Sequence, residues 1–236
     1  MPSTSTPAPT APTAPFAGFS PDAIQFLVDL AANNERSWFQ PRKAEFERLL
    51  KAPLEALCVA LGETFARRNI PLSADPARSP FRIYRDVRFS KDKSPYKTHV
   101  AASFGWVGGG DPGAGGYFHL QPGEIYVGGG RWHPEPAWLA AWRTTVVTEP
   151  ARVHAAIDEP TFLEMLGPVG GDRLKRLPTG YRADHPDAAL LTLKDVTFGR
   201  RLSDADVLSA TLADTIADTF SVATPVLRLL ASLPVS

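Results

Sequence analysis

The sequence predicts an α+β protein in which an antiparallel β-meander sheet is packed on one face or end by helices from both the N- and C-terminal parts. Apolar residues recur at helical spacing before residue 70 and again after residue 134. Between Phe81 and Gly130 the apolar pattern changes to a period of two, which is typical of strands. These strand segments follow one another without intervening helices, so they predict a meander rather than parallel βαβ units.

Composition excludes several classes of protein. The 236-residue chain carries 25 Lys plus Arg and 25 Asp plus Glu, so no global field attracts it to nucleic acid, and nucleic acid is not an expected partner. The single cysteine, Cys58, excludes an intramolecular disulfide and a cysteine-based zinc site. No stretch approaches the roughly 18 apolar residues of a membrane span, and no signal-peptide pattern begins the chain. We therefore expect no membrane association and a reducing, cytoplasmic location.

The N-terminal segment differs from the rest in composition. Residues 2–15 contain only Pro, Ala, Ser and Thr, which offer little apolar surface to offset the entropy of ordering. The sequence therefore predicts a disordered tail over residues 1–17 and a single α+β domain over 18–236.

Helices are predicted on both sides of the strands. Ser20 followed by Pro21 indicates a helix start, and Asn33-Asn34 indicates its end. Cys58 falls within an apolar stripe, which favours a core position over a catalytic one. The apolar face of the first helix is predicted to be Ile24, Leu27, Val28 and Ala31. The other helices are predicted at about 39–50, 53–68, 134–147, 150–158, 160–166, 203–218 and 221–232.

Strands are predicted from alternation and turn residues. Pro122-Gly123 indicates the turn of a hairpin, and the glycine-rich segment 108–116 indicates a flexible turn. The strands are predicted at 81–89, 98–107, 117–121, 124–128 and 191–198.

A basic stretch, "FRIYRDVRFSKDKSPYKTH" at 81–99, is the first candidate site. Arg85 falls on the apolar side of the predicted strand, where a guanidinium requires a bound anion or a carboxylate such as Glu124, Glu164 or Asp195. The opposite side is a polar row suited to phosphate or carboxylate. That row is Arg82, Tyr84, Asp86 and Arg88. The plainer interpretation is that Asp86 pairs with an arginine and that the loop lysines are solvated.

A second candidate is the hairpin "YFHLQPGEIYVGGGRWH" at 117–133. Gly128 to Gly130 permit close approach of the backbone, either to a ligand or to another strand. Arg131 and Trp132 follow directly, so the segment suits an anionic or ring-bearing small molecule. The alternative is a tight bulge with Trp132 packed in the core.

Patterns for metals and nucleotides are weak. His99 and His119 are placed to meet across neighbouring strands, but no metal-ligand spacing such as HExxH occurs, so we assign no metal and leave the cofactor unknown. The GxGxxG match at Gly108, Gly110 and Gly113 contains a proline and opens no helix, so it fails as a dinucleotide motif.

Four blocks of sequence follow one another along the chain: "NNERSWFQPRKAEFERLLKAPLEAL", "FRIYRDVRFSKDKSPYKTHVAASF", "GYFHLQPGEIYVGGGRWHPEP" and "LKRLPTGYRADHPDAALL". Together they resemble successive segments of one family, domain of unknown function 2461. The resemblance covers about Phe19 to Leu230, apart from the N-terminal tail and the insertion around 108–116. It implies a single intracellular domain and carries no reaction, cofactor or catalytic residue.

Three hypotheses follow. The first is a pocket for a small anionic ligand, with His119 or His99 as general base if a reaction occurs. The second is an interaction module whose basic loop 90–99 docks an acidic protein or a nucleic-acid backbone. The third is a structural domain whose arginines hold the sheet together; the oligomeric state stays unknown. The candidate ligand-binding residues are Arg82, Arg85, Arg88, Tyr96, Lys97, His99, His119, Tyr126, Arg131 and Trp132.

Overall fold

A computed structural model describes residues 15–88, 90–182 and 184–233. Its five strands form one antiparallel sheet in which each strand pairs with the next along the chain, which confirms the α+β class and the predicted meander. The predicted tail falls mainly on residues 1–14, outside the described residues. The strands are β1 (Leu72–Ser73), β2 (Val100–Trp106), β3 (Gly115–Gln121), β4 (Glu124–Arg131) and β5 (Val196–Arg201).

Helices precede and follow the strands. No helix within the described ranges is long and apolar enough to cross a membrane. The N-terminal helices are α1 (Pro21–Ala32), α2 (Arg36–Phe39), α3 (Lys43–Phe46) and α4 (Ala52–Arg67), with a 3₁₀ turn at Gln40–Arg42 and a π turn at Glu47–Lys51 between them. The later helices are α5 (Pro136–Thr148), α6 (Pro150–Ile157), α7 (Pro160–Leu166), α8 (Ala188–Leu191), α9 (Asp204–Leu208) and α10 (Leu212–Ala231).

The first helix begins as predicted but buries a different face. The Ser20 hydroxyl accepts a hydrogen bond from the Ala23 N–H at 3.2 Å, which satisfies a donor of the first turn. Val28, expected in the core, is 44% exposed. The helix is rotated because the core accommodates the Phe26 ring, whose centroid lies 5.5 Å from that of Trp38 and 6.2 Å from that of Phe46. Its buried residues are Ala23, Phe26, Leu27 and Leu30.

The C-terminal helices divide at a different place from the one predicted. The capping box of Ser203 and Asp206 is present, but α9 ends at Leu208. The hydroxyls of Ser209 and Thr211 lie 2.7 Å apart in the connection, and α10 then runs without a break to Ala231. Side chains that bond nearby backbone and hydroxyl groups compete with helix, which explains the interruption.

Two faces of the sheet have different surroundings. The packed face lies against α4 and α10, where the rings of Phe65 and Phe104 meet Phe220 edge-on at 5.8 Å. Its central side chains, Phe118 and Val127, are fully buried. The open face consists of the alternate positions of the same strands, which in β2, β3 and β4 are Ala101, Ser103, Gly105, Gly115, Tyr117, His119, Gln121, Glu124, Tyr126, Gly128 and Gly130.

The expected strand over 81–89 is wrong for its described part, residues 81–88. The chain instead turns back on itself: the Arg85 N–H donates to the Pro95 carbonyl at 3.0 Å, and the Lys97 N–H donates to the Ile83 carbonyl at 2.8 Å. The carboxylate of Asp92 accepts from the Ser94 N–H at 2.9 Å, an arrangement that favours turns. The last strand is also displaced: α8 ends at Leu191, the first residue of the predicted 191–198 segment, and β5 begins only at Val196.

Candidate ligand-binding site

A cavity of about 780 Å³ lies on the open face of the sheet. Its volume is within the usual range for small-molecule sites. Its lining comes from the strands, from the loop before β3 and from the segment before β2. Lining residues used below are Phe81, Lys97, His99, Ser103, Gly105, Gly115, Tyr117, Tyr126, Gly128, Gly130, Trp132 and Thr197.

The floor of the cavity is glycine backbone. Gly115 lies opposite Gly105 on one side and Gly130 on the other. Gly130 has φ +125, and a Cβ there would lie 2.1 Å from the Val196 carbonyl oxygen. Of the two interpretations of the glycine run, close approach to another strand is therefore observed, since β5 leaves no space for a side chain. The same geometry leaves the floor without side chains.

Four rings form a cluster at one end of the cavity. The ring centroids of His99 and His119 are 4.4 Å apart, and those of His119 and Tyr126 are 4.8 Å apart. The Tyr117 hydroxyl lies 3.1 Å from Nδ1 of His119. Neighbouring strands bring these side chains together, because His119 is directly opposite Tyr126 in the register of β3 and β4.

Burial keeps this cluster uncharged at neutral pH. Burial, followed by the charges of His119 and Lys97, lowers the pKa of His99 to about 4. Burial also lowers the pKa of His119 and raises those of Tyr117 and Tyr126. His119 is 7% exposed, and its Nε2 atom has no hydrogen-bond partner among the described residues. The cluster can therefore donate and accept hydrogen bonds, but it contributes no charge.

Lys97 is the charged side chain of the lining. Its Nζ lies 5.1 Å from the centroid of the Phe81 ring, a cation–π contact. Burial, and after it the charge of Arg82, lowers the pKa of Lys97. Arg82 itself is exposed. The cavity thus has one cation at the end where the segment 81–99 covers the sheet.

The other two arginines of the basic stretch pair with nearby carboxylates. Arg88 contacts Asp86 at 2.7 Å, and this bond lowers the pKa of Asp86 to about 2. Arg85 pairs with Asp92, so the three carboxylates proposed from the sequence are wrong as its partners. That proposal required Arg85 on the apolar side of a strand, whereas the observed turn places both residues of the pair in one local loop.

Tyr96 and Arg131 have structural neighbours away from the cavity. Tyr96 is 1% exposed and stacks on Phe39 with a centroid separation of 4.1 Å. Arg131 projects from the packed side of β4, where it contacts Glu135 at 2.6 Å and Asp111 at 3.4 Å. Neither residue lines the cavity on the open face.

Trp132 stands at the mouth of the cavity and is 71% exposed, so its expected alternative position in the core is wrong. It packs on His133, with ring centroids 4.0 Å apart. His133 has φ +47, and its N–H donates to the buried Asp195 carboxylate at 2.6 Å. This bond fixes the backbone that directs Trp132 to the cavity.

Sequence reasoning missed some lining residues. Ser103 and Gly105 alternate with buried apolar residues in β2, and that alternation was a usable signal for small side chains on an uncovered face. Thr197 lies between the buried Val196 and Phe198 inside the predicted strand 191–198, so the same signal was present there. Within the described ranges, no group of three or more His, Cys, Asp or Glu residues is placed to hold a metal ion.

The fold and the cavity define a class of protein: an α+β domain whose antiparallel meander is covered by helices on one face and carries a glycine-floored cavity on the other. The chain belongs to the family described as "Conserved hypothetical protein (DUF2461)", whose model matches residues 22–228. Comparison with curated proteins gives no match, and neither does comparison with solved structures.

Proposed function

We propose that the protein binds a small anionic ligand, bearing a carboxylate or a phosphate, in the cavity on the open face. The observation that carries this proposal is Lys97. It is partly buried in the lining, and it makes no ion pair with the described residues. An ammonium group that has lost water without gaining a carboxylate is unfavourable, and the lowered pKa of Lys97 has the same cause. An anion entering the cavity would restore the missing interaction.

Arg82 adds a second positive charge near Lys97, which favours an anion at the same end of the cavity. Its positive charge is close enough to lower the pKa of Lys97, and it makes no ion pair within the described residues. Two neighbouring cations that repel each other gain from a shared anion. Arg85 and Arg88 are not part of this proposal, since each already has a carboxylate partner.

A thermal-shift screen tests the proposal. The purified protein is heated with inorganic phosphate, sugar phosphates, nucleotides and small carboxylates. A ligand at a hundred times its Kd stabilises by about 2.7 kcal/mol, which raises Tm by roughly 5–10 °C in a domain of this size. We expect the rise to be lost in Lys97→Met and kept in Lys91→Met, because Lys91 is exposed and outside the lining. A rise that survives Lys97→Met would refute the proposed site.

Salt dependence separates this proposal from docking through the basic loop 90–99. Binding to a phosphate backbone weakens by orders of magnitude between about 50 and 200 mM salt when many phosphates are contacted. A partly buried single-cation pocket changes much less. Local pairing already offsets part of the charge near this loop, since Arg85 pairs with Asp92 and Arg88 pairs with Asp86.

A further inference from the structure

We infer that the ligand of this cavity is an aromatic acid, a flat ring carrying the acidic group that Lys97 contacts. The inference rests on the proposed function, because it assigns the part of the molecule that extends away from Lys97 over the sheet. Three features of the cavity carry it: the floor, the aromatic walls and the position of the cation.

The floor is flat over the width of three strands. Gly105, Gly115 and Gly130 lie side by side in the register of β2, β3 and β4. Adjacent strands are about 4.8 Å apart, so this row covers about 10 Å without a Cβ atom. A Cβ on Gly115 would lie 2.6 Å from the Phe104 carbonyl oxygen, and Gly128 has a similar restriction from β5. A planar ring can lie directly on such backbone, whereas a bulkier group gains no additional contact from it.

The walls present ring surfaces that the protein itself leaves exposed. Phe81 is 47% exposed, and Trp132 is more exposed still. Tyr117 stands between the cation and the floor, with its ring centroid 6.0 Å from that of Phe81. Aromatic side chains pair with other rings by offset stacking or edge contact, each worth about 0.5–1.5 kcal/mol beyond the area buried. An aromatic ligand would bury Phe81 and Trp132 and make such contacts on two sides.

The cation lies at one end of this arrangement. Lys97 contacts the outer ring, Phe81, rather than the glycine row. A molecule whose carboxylate reaches Lys97 therefore directs its remaining atoms past Tyr117 toward the floor. The neutral histidine and tyrosine cluster borders this path, so hydrogen bonds are available to a ring heteroatom without a second charge.

A pair of matched carboxylic acids tests whether the cavity prefers an aromatic ring. Benzoate and cyclohexanecarboxylate carry the same charge on six-membered rings, of which only the first is flat and aromatic. Titration calorimetry would measure both, together with acetate and inorganic phosphate. We expect benzoate to bind about tenfold more tightly than cyclohexanecarboxylate, the ratio that one good stacking contact supplies. Equal affinities for the two rings would overturn the aromatic inference while leaving the anion site in place. Binding by none of the four, with Lys97 intact, would count against both proposals.

A floor variant provides the second test. A Cβ on Gly105 meets nothing within 4 Å, so Gly105→Val places its methyl groups on the open face without a clash in the fold. We expect benzoate affinity to fall by about tenfold or more, with Tm nearly unchanged, because the ring loses its flat support. Gly170→Val is the matched control, since Gly170 also has open space and does not line the cavity. Unchanged benzoate binding in Gly105→Val would overturn the inference.

Discussion

The packed face and the open face are built by alternate residues of the same strands. On the packed face Phe118, Leu120 and Val127 are fully buried beneath the helices. Between them in sequence, on the open face, lie His119 and Tyr126, which stack on each other at one end of the cavity. The two faces share one backbone and one set of hydrogen bonds, so they differ in their side chains and in the helices that cover only the packed face.

The two faces contribute differently to the stability of the fold. Apolar burial is the main favourable contribution to folding, and it is concentrated on the packed face. Glycine within a strand is unfavourable, because it restricts no unfolded conformations and packs no side chain. Gly105, where a Cβ would meet nothing within 4 Å, therefore lowers stability, whereas Gly115, Gly128 and Gly130 are required by the close approach of neighbouring backbone.

The largest expected effect comes from removing packed-face volume. Phe220 of α10 is fully buried and contacts Phe65 and Phe104 edge-on. Phe220→Ala should lower the free energy of unfolding by about 3–5 kcal/mol, since it removes a large ring from a filled core. Urea denaturation measures this, with Tyr117→Phe on the open face as the comparison, expected to cost about 1 kcal/mol or less. Similar losses for the two variants would contradict the division between the faces.

Two glycine variants give a smaller effect and sharpen the comparison within the open face. Gly130→Ala introduces a Cβ against β5 at a positive φ, so we expect a loss of about 1–3 kcal/mol in unfolding free energy. Gly105→Ala points into open space and should change stability by about 0.5 kcal/mol or less. Both are measured by urea denaturation. Equal costs would mean that the floor is not fixed by the approach of β5.

Much of the fold was accessible from the sequence because its signals are local. The Ser20 cap, the period-two alternation and the Pro122-Gly123 turn each depend on residues within a few positions of one another. The face that α1 buries was not accessible in this way. Ile24 and Phe26 are both apolar, and only the shape of the tertiary core decides which of them faces inward.

The candidate site was predicted only in part, because sequence patterns reveal local features but not how the chain turns. Lys97, His99, Tyr126 and Trp132 line the cavity, and His119 lies beside them. The density of arginines suggested an anion site on the segment itself, but Arg88 is bonded to Asp86 only two residues away. A count of charges does not reveal such pairing, because it depends on where the chain turns. The ligand-binding role of these residues stays a prediction.

His99 in the cavity and His154 in α6 predict opposite pH dependence of the free energy of unfolding. The pKa of His99 is lowered from 6.5 to about 4 by burial, so the folded state disfavours its protonation. Its contribution to stability is fully present above pH 6.5 and is lost as pH falls toward 4, where the unfolded state binds the extra proton. Urea denaturation at several pH values should give a rising slope over this window. His99→Gln should flatten it without abolishing it, because His119 shifts in the same direction.

His154 should give the opposite sign and the smallest effect, because its side chain is 40% exposed. Nδ1 lies 2.6 Å from Asp158 and Nε2 lies 2.9 Å from Asp187, and these two carboxylates raise its pKa above 6.5. Both nitrogens donate only in the imidazolium form, so the contribution is complete below pH 6.5 and is lost as pH rises through the raised folded pKa. His154→Gln should remove this decline from the stability profile while leaving the His99 slope unchanged. Persistence of the decline in His154→Gln would place its origin in another group.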